Sequence, residues 1–261
     1  MKRFTTWLCL FIFSALVPSG LLGQTQPAAS QPAPAEQQKS SGAKTGASLL
    51  HPETLKAKAP DVYEVQFVTT KGNFVIQVTR AWAPLGADRF YNLLKYHFYD
   101  GASFFRVVPG FVVQFGLTGS PAVNKAWTDA NIKDDPVTQS NLPGTITFAM
   151  AGPNTRTTQV FINFRNNSAL DSQGFAPFGK VTEGMDVVNQ LYSGYADSPT
   201  SHQGEITNEG KAYLDKNFPK LDSIKRATII SPAAAPTAPA AKGTAPAAKS
   251  TAPVAGEKPK P

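Results

Sequence analysis

The chain has a single cysteine in 261 residues, Cys9, and that residue lies inside the apolar run Trp7 to Val17. Met1-Lys2-Arg3, this run, and the following Pro18-Ser-Gly-Leu-Leu-Gly-Gln24 read as a secretory signal peptide over residues 1–23, with cleavage near Gly20 or Gly23. A chain cut there contains no thiol, which excludes disulfides, cysteine-ligated metals and cysteine nucleophiles. No apolar run is long enough to span a bilayer comfortably. The expectation is export to the periplasm or beyond the cell, without stable membrane insertion; the alternative is a membrane tether formed by an uncleaved signal. Histidine is also sparse. His51, His97 and His202 stand far apart, and none pairs with Cys or Glu at metal-ligand spacing, so no metal site is expected. No phosphate-cradling glycine loop is present, and no cofactor is implied. The adjacent acids Asp134-Asp135 read as solvated loop residues rather than as an acid–base pair. Net charge is missing where a nucleic-acid face would need it. Residues 60–231 carry 15 Lys and Arg against 15 Asp and Glu, so the formal +7 belongs to the flanks and no nucleic-acid partner is expected.

Composition divides the remainder. Residues 24–59 are rich in Ala, Pro, Gln, Ser and Lys without apolar periodicity and read as a flexible tether. Residues 232–261, with their Ala-Pro and Ala-Ala-Lys units, read as a disordered, partly polyproline-like tail. Between them, Tyr63, Val65 and Phe67 alternate with polar residues, as do Phe74, Ile76 and Val78, across the connection Thr70-Lys-Gly-Asn73; this predicts an opening β-hairpin. Pro84 opens a helical pattern that ends by Gly101. Short β-type runs follow at 104–107, 111–115, 146–149, 160–164 and 178–181, then a helical stretch at 185–192 and a closing strand at 226–230. The fold class is therefore mainly β, and many short strands with two helices suggest a closed antiparallel barrel with helical plugs.

Two segments carry the chemistry: Ser103-Phe-Phe-Arg-Val-Val-Pro-Gly-Phe-Val-Val-Gln-Phe-Gly116 and Gly144-Thr-Ile-Thr-Phe-Ala-Met-Ala-Gly-Pro-Asn-Thr-Arg-Thr-Thr-Gln-Val-Phe161. Each sets a lone polar group, Arg106 or Gln159, among apolar and aromatic residues. That suits a groove that holds a ring and touches its amide at a few points. Both segments resemble the core motifs of the cyclophilin peptidyl-prolyl isomerases, and the resemblance runs through residues 60–231 with Phe98–Arg106, Leu170-Asp171 and Phe175–Asp186 in family order. It implies a closed eight-stranded antiparallel barrel capped by two helices, with an active groove on its outer surface. It also implies an enzyme that rotates X–Pro bonds without a covalent intermediate or proton transfer. Arg106 would be the cationic donor and Gln114 would hydrogen-bond the substrate backbone. Phe111, Val112, Phe161, Leu170 and Phe175, the last at a position often held by His, would line the proline pocket. Gln159 would hold the arginine or the groove wall, and Ala149 and Met150 would bind extended backbone through main-chain groups, although the family usually has Asn where Met150 stands. The alternative for Arg106 is a surface ion pair.

Ala169 stands where many eukaryotic members carry a tryptophan that contacts cyclic-peptide inhibitors. The segment from Tyr195 to Ile224, including Ser201-His-Gln-Gly204 and a short helical pattern around Ala212–Lys216, fits the common core poorly and has no assigned role. The implied partners are proline-containing peptides and unfolded client proteins, acted on by a monomer. A non-catalytic proline-peptide-binding or chaperone module on the same barrel is the competing function, and an adhesion scaffold resting on the tails is a third.

Overall fold

The structure, a computed structural model, describes residues 48–231. The expected signal segment, residues 24–47 of the expected tether, and the 232–261 tail lie outside the described residues. Residues 48–59, assigned by composition to the tether, pack on the domain instead: Trp127 donates its indole N–H to the Leu49 carbonyl at 2.9 Å. The Ala57 and Ala59 amides donate to Asn92 and Asp88 at 3.0 and 2.8 Å. These three bonds between side chains and backbone replace the periodicity that composition looks for.

All eight expected strands form: β1 (Val62–Thr69), β2 (Asn73–Thr79), β3 (Arg106–Val108), β4 (Val112–Phe115), β5 (Thr145–Phe148), β6 (Val160–Asn163), β7 (Pro177–Glu183) and β8 (Ile224–Ser231). They make one antiparallel sheet in the order β3-β4-β6-β5-β7-β2-β1-β8. In β1 the alternation works as read, with Tyr63, Val65 and Phe67 wholly buried. Phe67 and Phe74 stack at 4.8 Å, and Phe104 meets Phe115 edge-on at 5.3 Å, giving the core an aromatic centre.

The expected closure fails. β3 and β8 are the free ends of the strand order, linked by an isolated bridge at Ser103 and Ser223 with bonds from Phe104 N to Asp222 O and Ile224 N to Ala102 O, each 2.9 Å. The sheet is an open, strongly curled one rather than a closed barrel. β3 is three residues long, and its outward amide, Val107 N, donates to the Ala196 carbonyl at 3.2 Å, so a loop rather than β8 covers that edge.

Helices are more numerous than the expected pair. α1 (Pro84–Lys95) and α3 (Met185–Asn189) match the expected positions, and α2 (Pro121–Trp127), α4 (Gln203–Glu209) and α5 (Lys211–Asn217) are additional. Each of these three has seven residues, too few turns for a strong helical period, although α5 coincides with the short helical pattern around Ala212–Lys216. Phe105, Leu117, Ile206, Leu214 and Phe218 form a second small core beneath α4 and α5, with Tyr195 packed against it.

The reading of Asp134-Asp135 as solvated is also corrected for Asp135. The first turn of α1 has no side-chain cap of its own. Asp135 reaches in from its loop, and its two carboxylate oxygens accept the Leu85 and Gly86 amides at 2.9 and 2.8 Å. Arg156 pairs with Asp135 at 3.0 Å and with Asp134 at 3.2 Å. Asp135 is thus a helix cap and ion-pair partner.

Candidate active site

Strand register assembles the site. Arg106 on β3 lies opposite Gln114 on β4, Gln114 opposite Phe161 on β6, and Phe161 opposite Thr147 on β5. Because side chains alternate across a strand, this row lies on the face of the sheet opposite the core, which its neighbours Val107, Val113, Phe115, Val160 and Ile162 enter. One row of directly opposed residues therefore brings a cation, an amide and an aromatic ring onto one surface.

The turn between β3 and β4 supplies the next wall. Pro109-Gly110 sits at its centre, Gly110 has φ 67°, and Phe111 N donates to Val108 O at 3.0 Å, as a proline–glycine turn demands. Phe111 then stands beside the arginine, whose guanidinium carbon lies 5.6 Å from the ring centre. Phe175 meets Phe161 edge-on at 5.7 Å. A pocket of about 200 Å3 results, lined by Arg106, Phe111, Val112, Gln114, Ala149, Met150, Phe161, Leu170, Phe175 and Thr200. This is smaller than the pockets that enclose drug-sized ligands. It fits one ring with its flanking amides.

Nine of the ten expected site residues line this pocket. The tenth, Gln159, stands behind Gln114 and lines an adjoining polar cavity of about 190 Å3 with Thr155, Thr157 and Gln203. Its place is fixed by a close backbone crossing: Gly116 has φ 119°, and a Cβ there would lie 2.5 Å from the Thr158 carbonyl oxygen. That approach puts Gln114 Nε2 at 2.8 Å from Gln159 Oε1.

A buried amide network supports the apolar wall from behind. Asn167 donates to the Phe111 carbonyl at 3.0 Å and to Asn163 at 2.8 Å, while Asn141 donates to the Phe175 carbonyl at 2.9 Å and to Asp171 at 2.8 Å. Burial opposes ionisation of Asp171, but the Ser140 hydroxyl and the Asn141 side chain and amide donate to its carboxylate and hold it below the usual carboxylate range.

Three residues from the unassigned segment also reach the site. Asp197 accepts a short hydrogen bond from Arg106 Nε, Thr200 lines the pocket, and Gln203 Oε1 accepts from Gln159 Nε2 at 2.8 Å. Arg106 Nη1 donates to Gln114 Oε1 at 3.2 Å. Arg106 is therefore in an ion pair, as the alternative for it supposed, yet it lines the pocket. Nothing in the sequence joins Asp197 to a strand 91 positions earlier; only the fold brings them together.

The arrangement offers a fixed cation beside an apolar slot, with amides alongside, and no nucleophile–base pair. The profile of the family described as "Cyclophilin type peptidyl-prolyl cis-trans isomerase/CLD" matches residues 64–211. Similar proteins include a "Peptidyl-prolyl cis-trans isomerase" of Acinetobacter baylyi, 37% identical over 169 residues that cover 62% of this chain and 87% of that protein. Another is "Peptidyl-prolyl cis-trans isomerase A" of Dickeya dadantii, 35% identical over 133 residues, covering 49% of this chain and 70% of that protein. A solved cyclophilin-type isomerase of Cryptosporidium parvum aligns with a TM-score of 0.49 at 18% identity, covering 65% of this chain and 98% of that one. The chain belongs to the cyclophilin-type peptidyl-prolyl cis-trans isomerases.

Proposed function

We propose that this protein accelerates cis–trans rotation of X–Pro bonds in proteins that fold after export, with Arg106 as the catalytic donor. The single observation that carries the mechanism is the guanidinium of Arg106 lining a mostly apolar, aromatic-walled pocket whose other polar side chains are Gln114 and Thr200. An X–Pro bond prefers trans by only about 0.5–1 kcal/mol, but rotation breaks amide resonance and meets a barrier of about 18–20 kcal/mol. As the bond twists, the prolyl nitrogen becomes pyramidal and gains a lone pair. A permanent cation held beside it stabilises the twisted form more than the planar one. Phe111, Phe161, Leu170 and Phe175 hold the ring, Gln114 and the main chain at Ala149 and Met150 hold the flanking backbone, and Val112 forms the floor.

Export rests on Lys2-Arg3, the apolar run and the lack of later cysteines. The clients are unfolded, proline-containing proteins of the periplasm or exterior, and the protein acts as a monomer without a cofactor. N-terminal sequencing from the native host should start after Gly20 or Gly23; recovery of intact Met1 in a soluble fraction refutes cleavage.

One observation favours the second reading, a groove that binds proline peptides without catalysis: Arg106 is already engaged by Asp197. A protease-free isomerisation assay on a short X–Pro peptide separates the two. Well-folded Arg106→Ala with a rate within roughly threefold of wild type, far short of the loss expected for a charged transition-state donor, leaves the binding-only reading ahead.

A further inference from the structure

The loop that covers the β3 edge also holds both ends of the polar chain in the site. The bonds run from Asp197 to Arg106, Gln114, Gln159 and back to Gln203, so a segment of seven residues brackets the arginine. The register of this bracket is fixed by Ala196. Its carbonyl accepts Val107 N at 3.2 Å, and its φ of 46° lies in the left-handed region that alanine rarely adopts. The chain turns there so that the next side chain, Asp197, meets Arg106, the neighbour of Val107. Thr200 donates its amide to the Asp197 carbonyl at 3.0 Å and its hydroxyl to the carboxylate at 3.2 Å. Behind the turn, Tyr195 packs edge-on against Phe218 at 5.2 Å in the second core.

We propose that Asp197 is a positioning residue for the isomerase reaction: its carboxylate grips Arg106 at Nε while Gln114 accepts from Nη1, which fixes the guanidinium plane beside the pocket. The inference rests on Arg106 being the transition-state donor. An arginine held on one side only samples several rotamers, and each turn must be paid for by ordering entropy when the bond twists. The opposite role, in which Asp197 competes with substrate for the cation, predicts the opposite sign.

The test is a two-residue cycle on the full chain with the protease-free assay on a short X–Pro peptide. Asp197→Ala should lower kcat roughly tenfold with KM within about twofold, the pattern of an interaction that matters in the transition state. Asp197→Glu should recover most of the loss, because the carboxylate is kept. In an Arg106→Ala background, Asp197→Ala should cost nothing further. Circular dichroism and thermal melts confirm that each variant is folded, and Asp197→Ser, whose hydroxyl can accept from Thr200 but is too short to hold Arg106, stands in if the alanine variant is not. The inference is overturned if Asp197→Ala leaves kcat within about twofold or raises it, or if the same loss appears again without Arg106. If Arg106→Ala is itself without effect, the catalytic reading falls and takes this inference with it; a strong Arg106→Ala effect beside a silent Asp197→Ala sinks the inference alone.

Discussion

Arg156 and Arg106 each meet an aspartate, but in different surroundings. The Arg156 and Asp135 side chains are 2% and 1% exposed, whereas Arg106 and Asp197 are 24% and 60% exposed. In the buried pair every charge is spent inside the fold: Asp135 caps α1 as well as pairing, and Arg156 also donates to the Lys133 carbonyl. Removing one partner strips a buried charge of its most buried counter-charge. The open pair keeps water and a pocket beside it, so its energy of folding is small and its guanidinium remains available. On the function proposed above, the same two residue types serve stability in one place and chemistry in the other, and they differ in exposure.

That contrast is broken most directly at the buried pair. Asp135→Ala should cost about 3–5 kcal/mol of stability in urea unfolding, because Arg156 then keeps only the partly exposed Asp134 as a counter-charge and α1 loses its cap. A loss under about 1 kcal/mol would put the buried pair in the same class as a surface one.

Arg106→Ala should reverse the pattern. Its isomerisation rate should fall roughly 30- to 1,000-fold, equivalent to about 2–4 kcal/mol of barrier lowering. Its unfolding free energy should change by less than about 1 kcal/mol. Arg106→Lys should restore little of the rate, since a point charge lacks the fork that meets Gln114 and the substrate together. Wild-type rates should vary little between about pH 6 and 8, because no step transfers a proton.

Acid sharpens the comparison through two other carboxylates. Burial pushes the Asp88 carboxyl upward, but the Arg80 fork, with both bonds at 2.8 Å, and the Ala59 amide outweigh it and hold Asp88 below the usual range; Asp171 is held low in the same sense. A carboxylate lowered in the folded state adds stability above its ordinary value of about 3.9, and that stability is lost as pH falls through the folded value. Unfolding midpoints should therefore be level near neutrality and drop below about pH 4. Asp88→Asn should flatten that drop.

The smallest expected effect is at Ala169, which is exposed and outside the pocket lining. Ala169→Trp should strengthen binding of a cyclosporin-type peptide by roughly tenfold, about 1.4 kcal/mol, by adding an apolar face and an N–H donor. No gain in a titration would mean that this part of the 168–173 turn lies off the inhibitor's path.

Period and motif alone determined much of this protein. The alternation at Tyr63, Val65 and Phe67, the proline that opens α1, and all eight strands are local signals, since side-chain period and φ restriction act within a few residues. Nine of the ten expected residues lie in one pocket because a motif fixes spacing along strands and register carries that spacing across them. What only the tertiary structure decided depends on contacts between distant segments. Whether the sheet closes turned on which backbone covers Val107, and Ala196 does. Whether Asp135 is solvated turned on where α1 begins in space, and its first amides point at that carboxylate. Asp197, Thr200 and Gln203 carry no motif. They join the site because a second core of Phe105, Leu117, Ile206, Leu214 and Phe218 presses their segment against β3, and burial of apolar surface is blind to distance along the chain.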